Sequence, residues 1–350
     1  MIDLKHVRVV LAYKNFAANK GISHIGLGVA AMNTSKVLRG AGIEADVWPV
    51  VSAAGIRTRL DQARTAPCQR PVTHVVVSAP WIPTHDLQSL IAEYPNVSFA
   101  VNCHSNVGFL QADASGVRLI REAMEIERGT WNFHVAGNSR KFCRWVTSTY
   151  QTPCSYLPNL YYIDHTAAIR RPLFRSGTLR IGAFGATRPL KNFMSACGAA
   201  IEIANSLKTD LEIWMSVGRA EGGGGTILSA ANAMLTGLPN VRLVESGWQS
   251  WPKFRAIVRH MHLLMQPSYT ESFNMVTADG VAEGIPSVVS DAITWAPDHW
   301  KASIDDVADI ARVGRQLLSD LHATEDGLKA LEAHNLTGLH AWRHYLRAAV

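Results

Sequence analysis

Short, almost unbroken apolar runs separated by helix-length stretches limit this chain more than any other feature. VRVVLAY (7–13), EADVWPVV (44–51), THVVVSAP (73–80) and SFAVNCHS (98–105) follow one another near its start. A strand covered on one face alternates apolar with polar residues. These runs barely alternate, so they predict parallel strands packed on both faces. Helical periodicity runs from about Gly28 to Arg39, near Gly116–Arg128 and through Phe142–Thr149, with NFHVAGNS (132–139) as a further strand between the last two. The alternation then restarts with LRIGAFGA (179–186), a helix through Met194–Ser206, LEIWMSVG (211–218) and a helix near Thr226–Leu235. VRLVESG (241–247), a helix through Phe254–His260, HLLMQPS (262–268) and SVVSD (287–291) complete it. The expectation is an α/β chain of two Rossmann-like, doubly wound domains, with ligand ground at the carboxyl ends of the strands.

RRPLFRSG (170–177), with Pro172 and Gly177, reads as a linker. It divides the chain into residues 1–170, 171–335 and a closing helix at 336–350 that is expected to pack back on the first domain. Gly222–Gly225 is permissive enough to be expected as a mobile loop.

With 47% hydrophobic and 18% charged positions, the chain can bury sizeable cores and is not disordered. Cys68, Cys103, Cys143, Cys154 and Cys197 form no CxxC pair, which suits a reducing, cytoplasmic setting. Lys5 and Arg8 break the first apolar run, which therefore reads as a strand and not a signal peptide. No apolar run is long enough to predict a transmembrane segment. The histidines include no HExxH; His260 and His262 read as packing or surface residues, and no metal site is expected. Charge is uneven: residues 1–170 hold 17 of the 34 Lys/Arg but only 11 of the 28 Asp/Glu, so the whole +6 lies there. That half is expected to meet something acidic, with DNA and an anionic membrane surface among the partners left open. Arg140, Lys141 and Arg144 beside Trp145 would form an amphipathic patch for it.

The densest chemistry lies in MQPSYTESFNMVTADGVAEGIPSVVS (265–290). A strand end leads through a Pro-Ser turn to Glu271 in a loop, then to a helix carrying Asp279, Gly284-Ile285-Pro286 and another strand. A carboxylate at a helix entrance accepts hydrogen bonds from sugar hydroxyls, while the unpaired N–H groups of the first turn attract phosphate. One short unit can thus grip both ends of a nucleotide-sugar.

This segment resembles the donor-binding motif of glycosyltransferase family 4 and its retaining relatives, in which two glutamates separated by seven residues precede a small-Gly-x-Pro turn. Asp279 replaces the second glutamate, Asn274 the usual Gly, and Ser272 a common Pro or Gly. The resemblance implies that Glu271 holds sugar hydroxyls, that Asp279 binds the ribose diol from much the same helical face, and that Ser272, Phe273 and Asn274 serve the diphosphate. IGAFGATRPLKNF (181–193) resembles the family's strand-Gly-Arg…Lys-Gly segment. Lys191 matches its lysine; the arginine's place falls on Ala186, with Arg188 two residues later. Cations before a helix are disfavoured by its dipole, and an anionic ligand compensates them. Gly26 and Gly28 resemble the family's N-terminal glycine loop, at a strand-to-helix turn where backbone can approach a ligand closely. His104 falls where the family has a histidine facing the sugar, which would make it catalytic together with Glu271 and Lys191. Asn138-Ser139 and Pro158-Asn159 resemble segments at the end of the family's first domain, with Leu160 where Gly is usual.

The implied fold is GT-B. The implied function is transfer of a sugar from a nucleoside-diphosphate-sugar, foremost a UDP-sugar, to an acceptor hydroxyl, with retained configuration, no metal and no permanently bound cofactor. The acceptor stays open between a saccharide, a glycolipid, a small metabolite and a hydroxymethylated base in DNA. A nucleotide-sugar epimerase and a non-catalytic nucleotide-sugar-binding protein of the same fold are the alternatives.

Overall fold

The structure, a computed structural model, describes residues 4–15, 25–66, 70–165, 173–217, 219–220 and 223–348. The linker residues Arg170, Arg171 and Pro172, together with Cys68, Glu221 and Gly222, lie outside the described residues. The chain divides into two compact units: unit 1 is Met1–Tyr162 with His334–Val350, and unit 2 is Ile163–Ala333.

Unit 1 alternates β1 (Arg8–Lys14), α1 (Ile25–Gly40), β2 (Glu44–Val50), α2 (Ala53–Thr65), β3 (His74–Ser78) and α3 (Thr84–Glu93). β4 (Ser98–Cys103), a single turn α4 (Val107–Leu110), α5 (Ala114–Gly129), β5 (Phe133–Gly137), α6 (Arg140–Tyr150) and the short β6 (Ser155–Tyr156) follow. The strands form one parallel sheet in the order β2-β1-β3-β4-β5-β6. Side chains alternate across a strand, and here both sets are buried. Val10, Val75, Val77, Phe99, Val101 and Val135 join Leu60, Leu90, Ile120 and Phe142 of the helices on one face. Val9, Leu11, Val76, Ala100 and Ala136 share the other cluster with Leu38, Trp342, Tyr345 and Leu346. That double burial is why the runs read as continuously apolar. Each fully buried large side chain contributes about 1.5–3 kcal/mol. Pro49 can sit in β2 because β2 is an edge strand, where one row of backbone groups has no ladder partner.

Unit 2 contains β7 (Leu179–Ala183), α7 (Phe193–Leu207), β8 (Leu211–Ser216), α8 (Gly224–Leu235), β9 (Val241–Ser246) and α9 (Trp251–Val258). β10 (Leu263–Gln266), α10 (Met275–Ala282), β11 (Ser287–Val289), α11 (Val307–Ser319) and the first part of α12 (Ala323–Ala348) complete it. Its parallel sheet has the order β11-β10-β7-β8-β9. The expected pair of doubly wound α/β sheets is therefore present. The glycine run departs from expectation: Gly223 is a left-handed cap at φ 91, but Gly224 and Gly225 already belong to α8.

The last part of α12 belongs to unit 1. Trp342 Nε1 donates to Pro158 O (2.9 Å), and Asn335 pairs with both backbone groups of Tyr161. Leu160, fully buried, lies where a Cβ on Gly338 of α12 would stand. The Leu in place of the usual Gly thus fills a hollow over a helical glycine. No helix among the described residues is long and apolar enough to cross a membrane.

Candidate active site

Strand order reverses in unit 2 between β7 and β10, from which the chain runs outward in opposite directions, to β8 and to β11. Loops leaving the carboxyl ends of two such strands face one crevice. The loop after β7 carries Gly185, Arg188 and Lys191; the loop after β10 carries Glu271. Topology thus brings together residues eighty positions apart.

The two loops are tied before any side-chain chemistry is counted. Tyr269 N donates to Leu190 O (3.0 Å), and Asn192 Nδ2 donates to Pro267 O (3.1 Å). Ser290 Oγ, beyond β11, donates to Ser268 O (2.5 Å). Gly185 sits at φ 118, a conformation that side chains resist, and Lys191 Nζ lies 3.6 Å from where its Cβ would be.

At the centre, Lys191 Nζ meets Glu271 Oε1 at 2.5 Å, with the two side chains only 10% and 7% exposed. Asn274 Nδ2 donates to the same oxygen (3.1 Å) and to Gln266 Oε1 (3.0 Å). Gln266 Nε2 is fixed in turn on Phe184 O (3.1 Å). Burial favours the protonated carboxyl. The Lys191 ammonium outweighs it by charge and hydrogen bond, with the Arg188 charge and the Ser268 hydroxyl adding to it, and holds Glu271 below its ordinary value. Glu271 is an anion kept dry by a cation.

Asn274 explains its own departure from Gly. Its φ is 67, in the positive region that Gly and, next, Asn tolerate best. Its Oδ1 also caps α10 by accepting from Thr277 N (2.9 Å), which removes one of the N–H groups a phosphate would seek. Because α10 begins at Met275, Glu271 and Asp279 do not share a helix face as expected. Asp279 is buried, and its Oδ1 accepts from Trp251 Nε1 across on α9 (2.8 Å). Phe273 has its ring stacked on Trp295 at 5.5 Å, and its carbonyl takes Trp295 Nε1, so its side chain is core. Ser272 beside it is half-buried.

Arg219, Trp248 and Trp251 went unread in the sequence. Arg219 follows β8, its carbonyl accepts from Thr187 N (2.9 Å), and its guanidinium lies 5.4 Å over the Trp248 ring. Arg188 is the next residue after Thr187, so a third cation joins Arg188 and Lys191 on neighbouring strand ends. Position just beyond β8 and β9 was the available signal.

Gly26, Gly28 and His104 lie in unit 1. Both glycines fall inside the first turns of α1, not in a turn before it. A Cβ on Gly28 would stand 3.0 Å from the Tyr13 ring, whereas Gly26 meets nothing within 4 Å. The reason for Gly28 is packing. His104, just past β4, has Nδ1 3.4 Å from Asn138 Nδ2. Burial pushes the imidazole down to about 4. Among the described residues the one group of three side chains able to hold a metal, His299 with Asp320 and Asp326, is surface-lying and includes none of these residues.

No family model matches the sequence, and no curated protein is recognisably similar to it in sequence. Solved structures are similar in fold. The UDP-forming α,α-trehalose-phosphate synthase from Burkholderia xenovorans, in complex with glucose-6-phosphate, gives a TM-score of 0.63 at 12% identity, over 97% of this chain and 100% of that one. Sucrose-phosphate synthase from Thermosynechococcus elongatus gives 0.59 at 12% identity, over 97% and 99%. S. aureus TarM, in complex with Fondaparinux, α-GlcNAc-glycerol and UDP, gives 0.54 at 14% identity over 78% of this chain, which spans 55% of TarM. At such identities the likeness establishes the fold, two Rossmann-like units of the GT-B type.

Proposed function

We propose that the protein is a glycosyltransferase that moves a sugar from a UDP-sugar to an acceptor hydroxyl. The observation that carries this reading is the buried Lys191–Glu271 pair at the switch point of unit 2. In the reaction the bond from sugar C1 to the diphosphate oxygen breaks, a bond from C1 to the acceptor oxygen forms, and the acceptor hydroxyl's proton passes to the departing diphosphate. Negative charge grows on the departing diphosphate, and preorganised cations there lower the barrier most. An ammonium has three donors and Glu271 takes one, leaving capacity for phosphate oxygens. Arg188 and Arg219 would add charge without a metal. Glu271, held anionic, would accept from sugar hydroxyls, and Asp279 from the ribose diol. Similarity in fold to enzymes named as UDP-forming supports UDP as the nucleotide. Retention of configuration is carried over from the family resemblance.

The test is a panel of nucleotide-sugars scored by thermal shift, followed by product analysis with and without saccharide acceptors; a bound donor raises the melting temperature by mass action. Isomerised donor formed without acceptor would make the protein an epimerase, and binding without turnover a carrier. Asp279→Asn is expected to weaken UDP binding by about 10–100-fold, the scale of one charge-assisted hydrogen bond, with a smaller change in kcat. Unchanged UDP affinity would remove Asp279 from the site.

His104 is assigned to hydrogen bonding in unit 1, not to proton abstraction, since an imidazole titrating at about 4 is a weak base at neutral pH. It stays neutral from about pH 5 upward. The rate profile of the wild type and of His104→Gln should therefore show the same limbs between about pH 5.5 and 8. An inflection near the ordinary histidine value that vanishes in the variant would reverse this assignment.

A further inference from the structure

Along the outer edge of the unit 1 sheet, β2 runs between α1 and α2, leaving a groove of about 660 Å3 whose lining includes Arg8, Lys36, Arg39, Asp46, Arg59 and Gln62. Its charges do not cancel. Asp46 is taken up by Arg8 at 2.7 Å, and Arg39 reaches it only at 3.5 Å. Among the described residues neither Lys36 nor Arg59 meets a carboxylate; they lie over the rings of Tyr162 (5.2 Å) and Trp48 (6.0 Å) instead. Three cations held around one open groove repel one another, and a bound anion relieves that repulsion.

The groove's walls narrow the class of anion. A peptide strand cannot extend the sheet here, because outward carbonyls of β2 are already used. Ala45 O accepts from Ser35 Oγ (2.8 Å) and Arg39 Nε (2.6 Å), Pro49 O accepts from Arg59 (3.5 Å), and Pro49 has no N–H. Among the lining residues nucleobases find no aromatic platform, since Trp48, the one ring there, is buried and its face lies under Arg59. What the groove offers is separated cationic side chains and the exposed amide of Gln62. We propose that it binds an acidic oligosaccharide, with sulfate, phosphate or carboxylate groups on Lys36, Arg39 and Arg59 and hydroxyls on Gln62.

The experiment titrates the full chain with a sulfated heparin oligosaccharide, a neutral glucan of equal length and a single-stranded DNA of similar charge, over a salt series. The sulfated chain should bind, more weakly as salt rises, and the double charge reversal Lys36→Glu/Arg59→Glu should reduce its affinity more than about tenfold. Melting temperature and UDP affinity should not change, and the milder Gln62→Glu should weaken binding in the same direction. Binding of the sulfated chain that ignores both variants, or equal binding of the neutral glucan, would overturn the proposal. DNA binding more tightly than the sulfated chain and sharing its sensitivity to Lys36→Glu/Arg59→Glu would make the groove a nucleic-acid site. Loss of UDP binding in the unaltered protein would count against the transferase reading and leave this one standing.

Discussion

Lys191→Met is expected to lower kcat/KM for sugar transfer by about 10²–10³-fold, the usual result of removing one preorganised charge-stabilising donor. It should also destabilise unit 2. A buried ion pair that loses one partner leaves the other charge without compensation, at about 3–5 kcal/mol. The pH dependence separates this cause from general damage. In the wild type Glu271 is held below its ordinary value, so its stabilisation is present above that value and is lost as pH falls through the folded one. Without the ammonium, burial dominates and the folded value rises above the ordinary one. Stability of Lys191→Met should then decrease as pH rises through and above the ordinary glutamate value, where the wild type, its gain complete, stays level. Urea denaturation at several pH values reads this directly. Lys191→Met/Glu271→Gln, which removes both charges, should recover most of the stability and none of the turnover. Near-normal turnover in either variant would refute the site.

Gly224→Ala and Gly225→Ala are expected to move the protein in opposite directions. A Cβ on Gly224 would fall on the carbonyl oxygen of Thr187, which as backbone cannot yield cheaply. Thr187 bridges to Ala220 and stands between Ala186 and Arg188, so the displacement is passed to the cations on the neighbouring strand ends. We expect a loss of about 1–3 kcal/mol, the scale of overpacking, and weaker UDP binding. A Cβ on Gly225 meets nothing within 4 Å inside a helix. There alanine should gain about 0.5–1 kcal/mol and leave UDP binding alone. Equal effects of the two substitutions in thermal denaturation and UDP titration would refute the close approach.

That pair also shows what a sequence withholds. Four adjacent glycines signal backbone freedom, yet the three among the described residues differ: Gly223 has a positive φ, Gly224 lies against a distant carbonyl, and Gly225 needs glycine for neither. The central strands β3 and β4 are legible from apolar runs because every one of their residues is buried, whereas β9 buries only Ser246. The Lys191–Glu271 meeting is legible only through a resemblance, since partners eighty residues apart share no local pattern. Asn274 reads as a departure from Gly, but its part as both helix cap and carboxylate ligand appears once φ 67 is known. Trp251 carries only its position just beyond β9 as a signal: a tryptophan at the start of a helix is ordinary until an aspartate from another helix accepts its N–H.

The division of unit 1 between the two ends of the chain bears on the order in which the protein can be made. Val9, Leu11 and Leu160 leave the ribosome early, but Trp342, Tyr345 and Leu346, which complete their cluster, come with the last turns of α12. During synthesis, therefore, one face of the first sheet is covered only in part, by Ala31 and Leu38 of α1, while the whole of unit 2 is being translated and is free to fold. Unit 1 begins before unit 2 and is completed after it, so the nascent chain carries a partly exposed apolar sheet face until unit 2 has been made, a state that is prone to aggregate and that chaperones bind.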